Sequence, residues 1–219
     1  MMVNQTLRKK ALLTLEDEFD PPHKFSEVKR QLFHLVYGLV IIAAVLVFGK
    51  LPVASFLTVV LLLGGVLILA HRKKKISLLE IVLQHVDRPS DLEIFPGKGA
   101  FFFTFGSLFA LFIFPQNIAL AGLCILTFGD SASHLTGLFV RKHYRREPEI
   151  KKLIEGTIAG IIISSVAAAF FVDPLFGFLA SALVMFIEFI ENLLAGIDDN
   201  FYIPLLSSCI LIALHFLFA

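Results

Sequence analysis

The chain has 219 residues, 57% of them hydrophobic, and a mean hydropathy of +0.84. Soluble domains contain about 45–50% apolar residues, so this composition argues against an ordinary soluble protein and for a membrane protein. The net charge of +1 is uninformative as a total, and no nucleic-acid partner is expected.

Residues 1–31 are predicted to be a cytosolic N-terminal segment. They do not resemble a cleavable signal, because no apolar core follows the basic start before the acidic stretch at 16–20. The remainder, 32–219, is predicted to form a single transmembrane catalytic domain.

Apolar runs dominate that domain, and a run of about 20 residues is long enough to cross a bilayer core of roughly 30 Å. The third of these runs, 100–114, is shorter than this length by itself. We therefore predict an all-α, polytopic integral membrane bundle of about seven transmembrane helices. The runs are 32–48, 51–70, 100–114, 117–140, 156–172, 174–190 and 203–218.

The basic residues predict the orientation of this bundle. Apart from Lys50, every Lys and Arg lies in one of three clusters, 8–30, 72–98 and 141–152. With seven spans the three clusters share one side, and the positive-inside rule places them in the cytosol. The N-terminus is then cytosolic and the C-terminus external.

Asp130 is the most informative residue, because it is an acid within the apolar run 117–140. A charge at bilayer depth costs roughly 3 kcal/mol or more, so such residues usually mark function. His134 follows by four residues, on the same helix face, and is expected to be its hydrogen-bond partner. A regular helix would put Asp130 about 16 Å below Arg141, near the midplane. A break at Gly129 would bring it closer to the cytosol, whereas an unbroken helix would leave it too deep to meet a triphosphate, and the sequence leaves this open.

The remaining polar residues lie near the predicted cytosolic ends of the spans. Mg²⁺ prefers oxygen ligands and usually binds one or two carboxylates plus substrate phosphates. The candidate ligands are Asp130, Glu188, Asp198 and Asp199, with Glu188 and the Asp198–Asp199 pair preferred over His134 as partners of Asp130. Lys98 and Lys152 would neutralise phosphate oxygens, and Gly97 and Gly99 would allow close backbone approach.

Simpler interpretations stay open for most of these residues. Lys98 and the 141–152 cluster also fit positive-inside charge alone. Asp198 and Asp199 also fit a cap on the last span. His34 and His134 also fit buried structural histidines. No Walker or GxGxxG pattern is present, so a nucleotide would bind by another scheme.

The chain resembles the membrane lipid kinases that include dolichol kinase, phytol kinase and the CTP-dependent diacylglycerol kinase. The resemblance runs from about Glu27 to Pro204 and rests on short strings in a shared order and spacing. They are Lys29-Arg30-Gln31-Leu32-Phe33-His34 with Gly38, Pro96-Gly97-Lys98-Gly99, Gly129-Asp130 with Ser133 and Gly137, Lys152-Leu153-Ile154-Glu155-Gly156-Thr157, Glu188, and Asp198-Asp199-Asn200 with Pro204.

The resemblance implies an enzyme that uses CTP and a divalent metal to phosphorylate a lipid alcohol at the cytosolic face. Asp130 and Glu155 are then the catalytic candidates, and the substrate contacts fall to His34 and Asn200. The phosphate-binding set is Lys98, Gly97, Gly99, Lys152 and Arg30. Two departures stand out: Leu153 replaces a common Ser, and Ser133 replaces a common small Ala.

The leading hypothesis is therefore CTP-dependent phosphorylation of a polyprenol- or dolichol-type alcohol, with membrane lipids as the other partners. The nearest alternative is a cytidylyltransferase that converts a lipid phosphate to its CDP derivative. An ion-coupled transporter, in which Asp130 and His134 form a relay, ranks third, and a purely structural scaffold fourth. The acceptor lipid and the oligomeric state stay open.

Overall fold

The computed structural model describes residues 21–73, 76, 83, 95–144, 154–190 and 198–218. Within these ranges the fold is all-helical and contains no strand, as the sequence predicts. The helices are α1 (Pro21–Phe48), α2 (Lys50–Lys73), α3 (Lys98–Ile113), α4 (Gln116–Cys124), a π-helical segment (Ile125–Asp130), α5 (Ser131–Tyr144), α6 (Ile154–Ala168), α7 (Pro174–Phe189) and α8 (Asp199–Phe218).

The helix ends follow local sequence signals. Proline is favoured in the first helical turn, and α1 begins with Pro21. Gly49 separates α1 from α2 with a φ of 81°, the left-handed conformation that usually ends a helix. At the start of α7, the Asp173 carboxylate accepts a hydrogen bond from the Leu175 amide at 2.9 Å. This is an ordinary N-cap.

In the part of the chain that the structure describes, four helices are long and apolar enough to cross a membrane: 27–48, 50–71, 116–141 and 199–218. Three shorter apolar helices, α3, α6 and α7, lie at the other three predicted spans. The structure thus has the composition and helix lengths of a membrane bundle. The number of crossings and the orientation stay predictions.

The first helix extends across the predicted boundary between the N-terminal segment and the transmembrane domain. It runs without interruption from Pro21 to Phe48, so the boundary between 31 and 32 lies inside α1. Residues 1–20 lie outside the described part of the chain. The apolar run is shorter than the helix, because a helix can continue beyond the segment that lipid covers.

The α4, π-helical and α5 segments form one continuous rod, which we call the central helix (Gln116–Tyr144). In its spanning window 78% of the residues are buried, against 17% in α2. It packs against α1, α3, α6, α7 and α8, whereas α2 contacts mainly α3 and α1. The core therefore surrounds the central helix, and α2 lies at the periphery.

The helix does not break at Gly129. Instead, backbone bonding changes from α- to π-helical over Ile125–Asp130 and returns to α-helical at Ser131. Such single π turns often occur at functional sites. The π segment therefore ends at Asp130, the acid that the sequence marks as functional.

Candidate functional site

Three ionisable side chains converge at the end of the π-helical segment. Asp130, His134 and Glu188 each offer one ligand atom, and these atoms all lie within 4.8 Å of one another. Asp130 and Glu188 are only 3% and 1% exposed. Two helices build the cluster, because Asp130 and His134 lie on the central helix and Glu188 near the end of α7.

His134 contacts Asp130 in two ways, as its position four residues later predicts. Its Nδ1 lies 3.1 Å from the Asp130 backbone oxygen and 3.0 Å from Oδ1 of the carboxylate. The expected hydrogen bond between these two residues is therefore confirmed. Glu188 was expected to join Asp130, and the structure brings the two together, but it adds His134 rather than Asp198 or Asp199.

Small residues allow α6 and α7 to approach the π segment closely. A Cβ added at Gly160 would lie 2.9 Å from the Gly129 backbone oxygen and 3.1 Å from Met185 Sδ. Gly129 precedes Asp130 and Met185 precedes Glu188 by less than one turn. Tight packing at this contact therefore sets the separation of the two carboxylates.

Arg30 and His34 lie on one face of α1, one turn apart. Arg30 is bound by Glu27 through both carboxylate oxygens, at 2.5 Å and 3.2 Å. The charges of Asp130 and Asp199 act on both Arg30 and His34, so this face of α1 lies near both acids. A further contact, from Ser131 Oγ to the Gln31 backbone oxygen at 3.5 Å, joins α1 to the same level of the central helix.

His34 is a buried histidine, 1% exposed, that packs edge-on against Phe103 at a ring distance of 5.4 Å. Within the described residues neither of its ring nitrogens has a hydrogen-bond partner. A Cβ added at Gly99 would lie 3.3 Å from His34 Nε2, so the glycine allows α3 to approach this ring. His34 and Gly99, predicted separately as substrate and phosphate contacts, are thus neighbours.

The start of α3 combines a glycine turn with a lysine. Gly97 has a φ of 80°, which glycine adopts without strain, and it precedes α3 without a side-chain cap. Lys98 Nζ lies 3.4 Å from Asp198 Oδ2. Lys98, one of the predicted phosphate-binding residues, therefore contacts one of the predicted metal ligands directly.

Asp198 and Asp199 form the start of α8 together with Asn200. The Asn200 side-chain amide donates to Asp198 Oδ1 at 3.0 Å and to Asp199 Oδ1 at 3.3 Å. Burial raises the pKa of Asp198 above its usual range, and repulsion from Asp199 adds to the effect, while Asn200 and Lys98 oppose it. These contacts fit the capping interpretation, and neither acid joins the Asp130 cluster.

Two further predicted site residues are Lys152 and Glu155. Lys152 lies outside the described residues. Glu155 is half-buried in the first turn of α6, and its neighbour Gly156 packs on the Ser133 backbone oxygen. Glu155 thus lies near α5, on the His134 side of the cluster.

Sequence reasoning missed two members of the site. Glu27 binds Arg30, and its signal was the spacing of three residues between an acid and a base on one helix. His134 was seen as a partner of Asp130 but not as a member of a three-residue cluster. A spacing of four residues fits both a hydrogen-bond partner of Asp130 and a member of a cluster. Only the position of Glu188 shows that His134 belongs to a cluster.

Two carboxylates and an imidazole at this separation can hold a divalent cation or pass a proton. The chain is similar to an uncharacterized protein of Methanocaldococcus jannaschii. The two are 29% identical over 189 residues, which cover 84% of this chain and 92% of the other. No protein-family model and no solved structure matches the chain.

Proposed function

We propose that this protein is a CTP-dependent lipid kinase that phosphorylates a polyprenol- or dolichol-type alcohol at the cytosolic face of a membrane. The observation that carries the proposal is the convergence of Asp130 and Glu188, two buried acids from different helices, on one point of the bundle. The nucleotide and the lipid class follow from the sequence resemblance.

Charge balance supports a metal at this point. Two buried carboxylates within 4.8 Å repel each other, and His134 supplies at most one positive charge. Arg30 acts on Asp130 from α1, but its guanidinium is bound by Glu27. A divalent cation held by Asp130 and Glu188 would reduce the repulsion between the two acids, and when bound it would neutralise phosphate oxygens of the nucleotide.

The start of α3 supports a neighbouring phosphate site. Helix N-termini present amide groups and a positive dipole end, and α3 begins at Lys98, directly after the Gly97 turn. Lys98 adds a cation whose present partner is Asp198. A phosphate oxygen of the nucleotide would replace the Asp198 carboxylate as the partner of Lys98, so nucleotide binding would break this one ion pair.

The depth of Asp130 supports access for a triphosphate. The Lys50 amide lies 3.2 Å from Gln116 Oε1, and we take this contact as one rim of the bundle. At 1.5 Å per residue, about 20 Å of helix separates Gln116 from Asp130. In a core of roughly 30 Å, Asp130 is then about 10 Å from the opposite rim. Counted from Gln116, Asp130 is shallower than the midplane position that the distance to Arg141 predicts. The two counts differ because the end of α5 that carries Arg141 would extend beyond the hydrocarbon core.

Product identification tests the reaction. Purified protein is incubated with a divalent cation, lipid alcohols or lipid phosphates, and CTP labelled at either the α- or the γ-phosphorus. A kinase transfers the γ label to a lipid alcohol and releases CDP. Transfer of the α label to a lipid phosphate with release of pyrophosphate would replace the kinase with the cytidylyltransferase.

Asp130→Asn is the sharpest variant for this assignment. It keeps the side-chain shape and removes the charge, so we expect CTP-dependent lipid phosphorylation to fall at least about 100-fold with the helical fold retained. Asp173→Asn is the matched control, because Asp173 caps the opposite end of α7 and Asn caps helices equally well. Near-normal turnover by Asp130→Asn would refute the assignment.

A further inference from the structure

We infer that His134 is a direct ligand of the metal ion, so that this site binds a divalent transition metal such as Mn²⁺ in preference to Mg²⁺. The inference deepens the proposed function and rests on it for the presence of a metal. It assigns a nitrogen ligand where the sequence predicted carboxylates alone. It also removes Asp198 and Asp199 from the coordination sphere.

The separations fit one ion. Oxygen and nitrogen ligands lie about 2.1 Å from Mg²⁺- or Zn²⁺-sized cations, so adjacent ligands in an octahedral site are about 3 Å apart. The distance from His134 Nδ1 to Asp130 Oδ1 is 3.0 Å. The Glu188 carboxylate lies within 4.8 Å of the other two ligand atoms, and a small side-chain movement would bring it to the spacing of adjacent ligands.

The state of Asp130 Oδ1 gives an independent indication. This atom is fully buried and, in the part of the chain that the structure describes, accepts no hydrogen bond of good geometry. The nearby Nδ1 of His134 is instead hydrogen-bonded to the Asp130 backbone oxygen. Nδ1 can only donate to that backbone oxygen, and the protonated imidazole 3.0 Å from Oδ1 is the positive partner of the carboxylate when no metal is bound. A cation between Oδ1 and Nδ1 would take the place of the Nδ1 proton and give the buried oxygen a direct ligand contact.

The alternative acids already have other partners. Asp198 pairs with Lys98 at 3.4 Å, and both Asp198 and Asp199 accept from Asn200. His34 is the competing nitrogen, because it is buried and lies near Asp130. It does not share the 4.8 Å cluster, so we assign the nitrogen ligand to His134.

The ligand set determines the class of metal. Mg²⁺ strongly prefers oxygen ligands and dehydrates reluctantly. Imidazole nitrogen favours first-row transition metals, and one nitrogen with two carboxylates is a mixed set that Mn²⁺ accepts. Replacing His134 by Gln should therefore weaken Mn²⁺ binding at least about tenfold, and Mg²⁺ binding by less.

Electron spin-echo spectroscopy of bound Mn²⁺ tests the ligand without any turnover. Metal-free protein in detergent receives Mn²⁺ alone, with no CTP and no lipid. We expect a ¹⁴N coupling typical of a coordinated imidazole in the unaltered protein. Growth with ¹⁵N-histidine should convert it to a ¹⁵N coupling, which establishes a histidine ligand without a substitution.

Variants then identify the residue. His134→Gln should abolish the nitrogen coupling, while His143→Gln, an exposed histidine on the same helix, should keep it. Loss of the coupling in His34→Gln but not in His134→Gln would overturn the assignment. Absence of nitrogen coupling, or of Mn²⁺ binding, in the unaltered protein would overturn it as well, even if His134→Gln did not fold.

The two proposals fail separately. A Mn²⁺ complex with histidine coupling in a protein that transfers no phosphate from CTP to lipid refutes the kinase and keeps the metal site. CTP-dependent lipid phosphorylation supported by Mg²⁺, with no nitrogen coupling to Mn²⁺, keeps the kinase and refutes His134 as ligand.

Discussion

Each acid at the site has a different neighbourhood, and that neighbourhood determines what the acid can do. Asp130 and Glu188 are buried together with an imidazole, an arrangement that favours a positively charged ligand. Asp198 lies at a helix start and contacts Lys98 and Asn200. The first pair fits metal binding, whereas Asp198 fits a helix cap whose ionised form is disfavoured by burial.

Asp198→Asn should stabilise the metal-free protein near neutral pH. Burial and Asp199 raise the pKa of Asp198, so the folded protein holds this proton more tightly than the unfolded chain does. Folding is then favoured at low pH, and this contribution is lost as the pH rises through the raised pKa. Asn carries no charge, so the variant should lose that pH dependence. Thermal unfolding in detergent with a chelator, from about pH 4 to pH 8, measures the difference.

Lys98→Met is the opposing control, because Lys98 lowers the pKa of Asp198. Removing the cation should deepen the loss of stability as the pH rises. If Asp198→Asn were instead less stable than the unaltered protein at neutral pH, the Lys98 ion pair would outweigh the desolvation of Asp198.

At the scale of elements, the approach of α6 to the central helix positions the site. Gly160 lies against the Gly129 backbone oxygen and Met185 Sδ, so the α6 contact reaches both the π segment and α7. The carboxylates of Asp130 and Glu188 project from those same two elements. Any change that moves α6 outward should therefore separate them.

Gly160→Ala should destabilise the fold and weaken the metal site together. Its Cβ would lie 2.9 Å from a backbone oxygen that cannot rotate away, a clash that typically costs about 1–3 kcal/mol. We expect a lower unfolding temperature and weaker Mn²⁺ binding. Gly64→Ala in α2 is the matched control, because no atom lies within 4 Å of its added Cβ. Equal behaviour of the two variants would contradict the packing argument.

At the scale of the whole molecule, polar contacts lie at both ends of the bundle but differ in kind. One end has Lys50 donating to the Phe114 backbone oxygen at 3.0 Å, together with the Asp173 cap. The other end carries the site, with Arg30, Lys98 and the four acids. This asymmetry fits an enzyme that works at one face better than a path through the membrane.

Cysteine labelling tests the predicted topology. In a background without Cys124 and Cys209, Lys50→Cys should react with a membrane-impermeant maleimide in intact cells. His143→Cys should react only after permeabilisation, because three predicted spans separate the two positions. Reaction of both from the same side would contradict the seven-span arrangement.

Part of this protein could be read directly from its sequence. Each of the seven apolar runs coincides with a helix in the described residues, and a lone acid in one run singled out Asp130, beside which the structure places His134 and Glu188. Both are local properties, since bilayer thickness sets the length of a run and desolvation penalises a charge wherever the helix goes. The contact of His134 with Asp130 was local as well, because it lies within one helical turn.

Only the tertiary structure decided which acids meet. Asp130 joins Glu188, whereas Asp198 joins Lys98, and the sequence offered Glu188 and Asp198 as equal candidates. The sequence raised a break at Gly129, and only the structure shows that the helix continues there through a π-helical segment. The reason is physical: distances between helices depend on how closely their backbones approach, and glycines such as Gly160 act on residues far away in the chain.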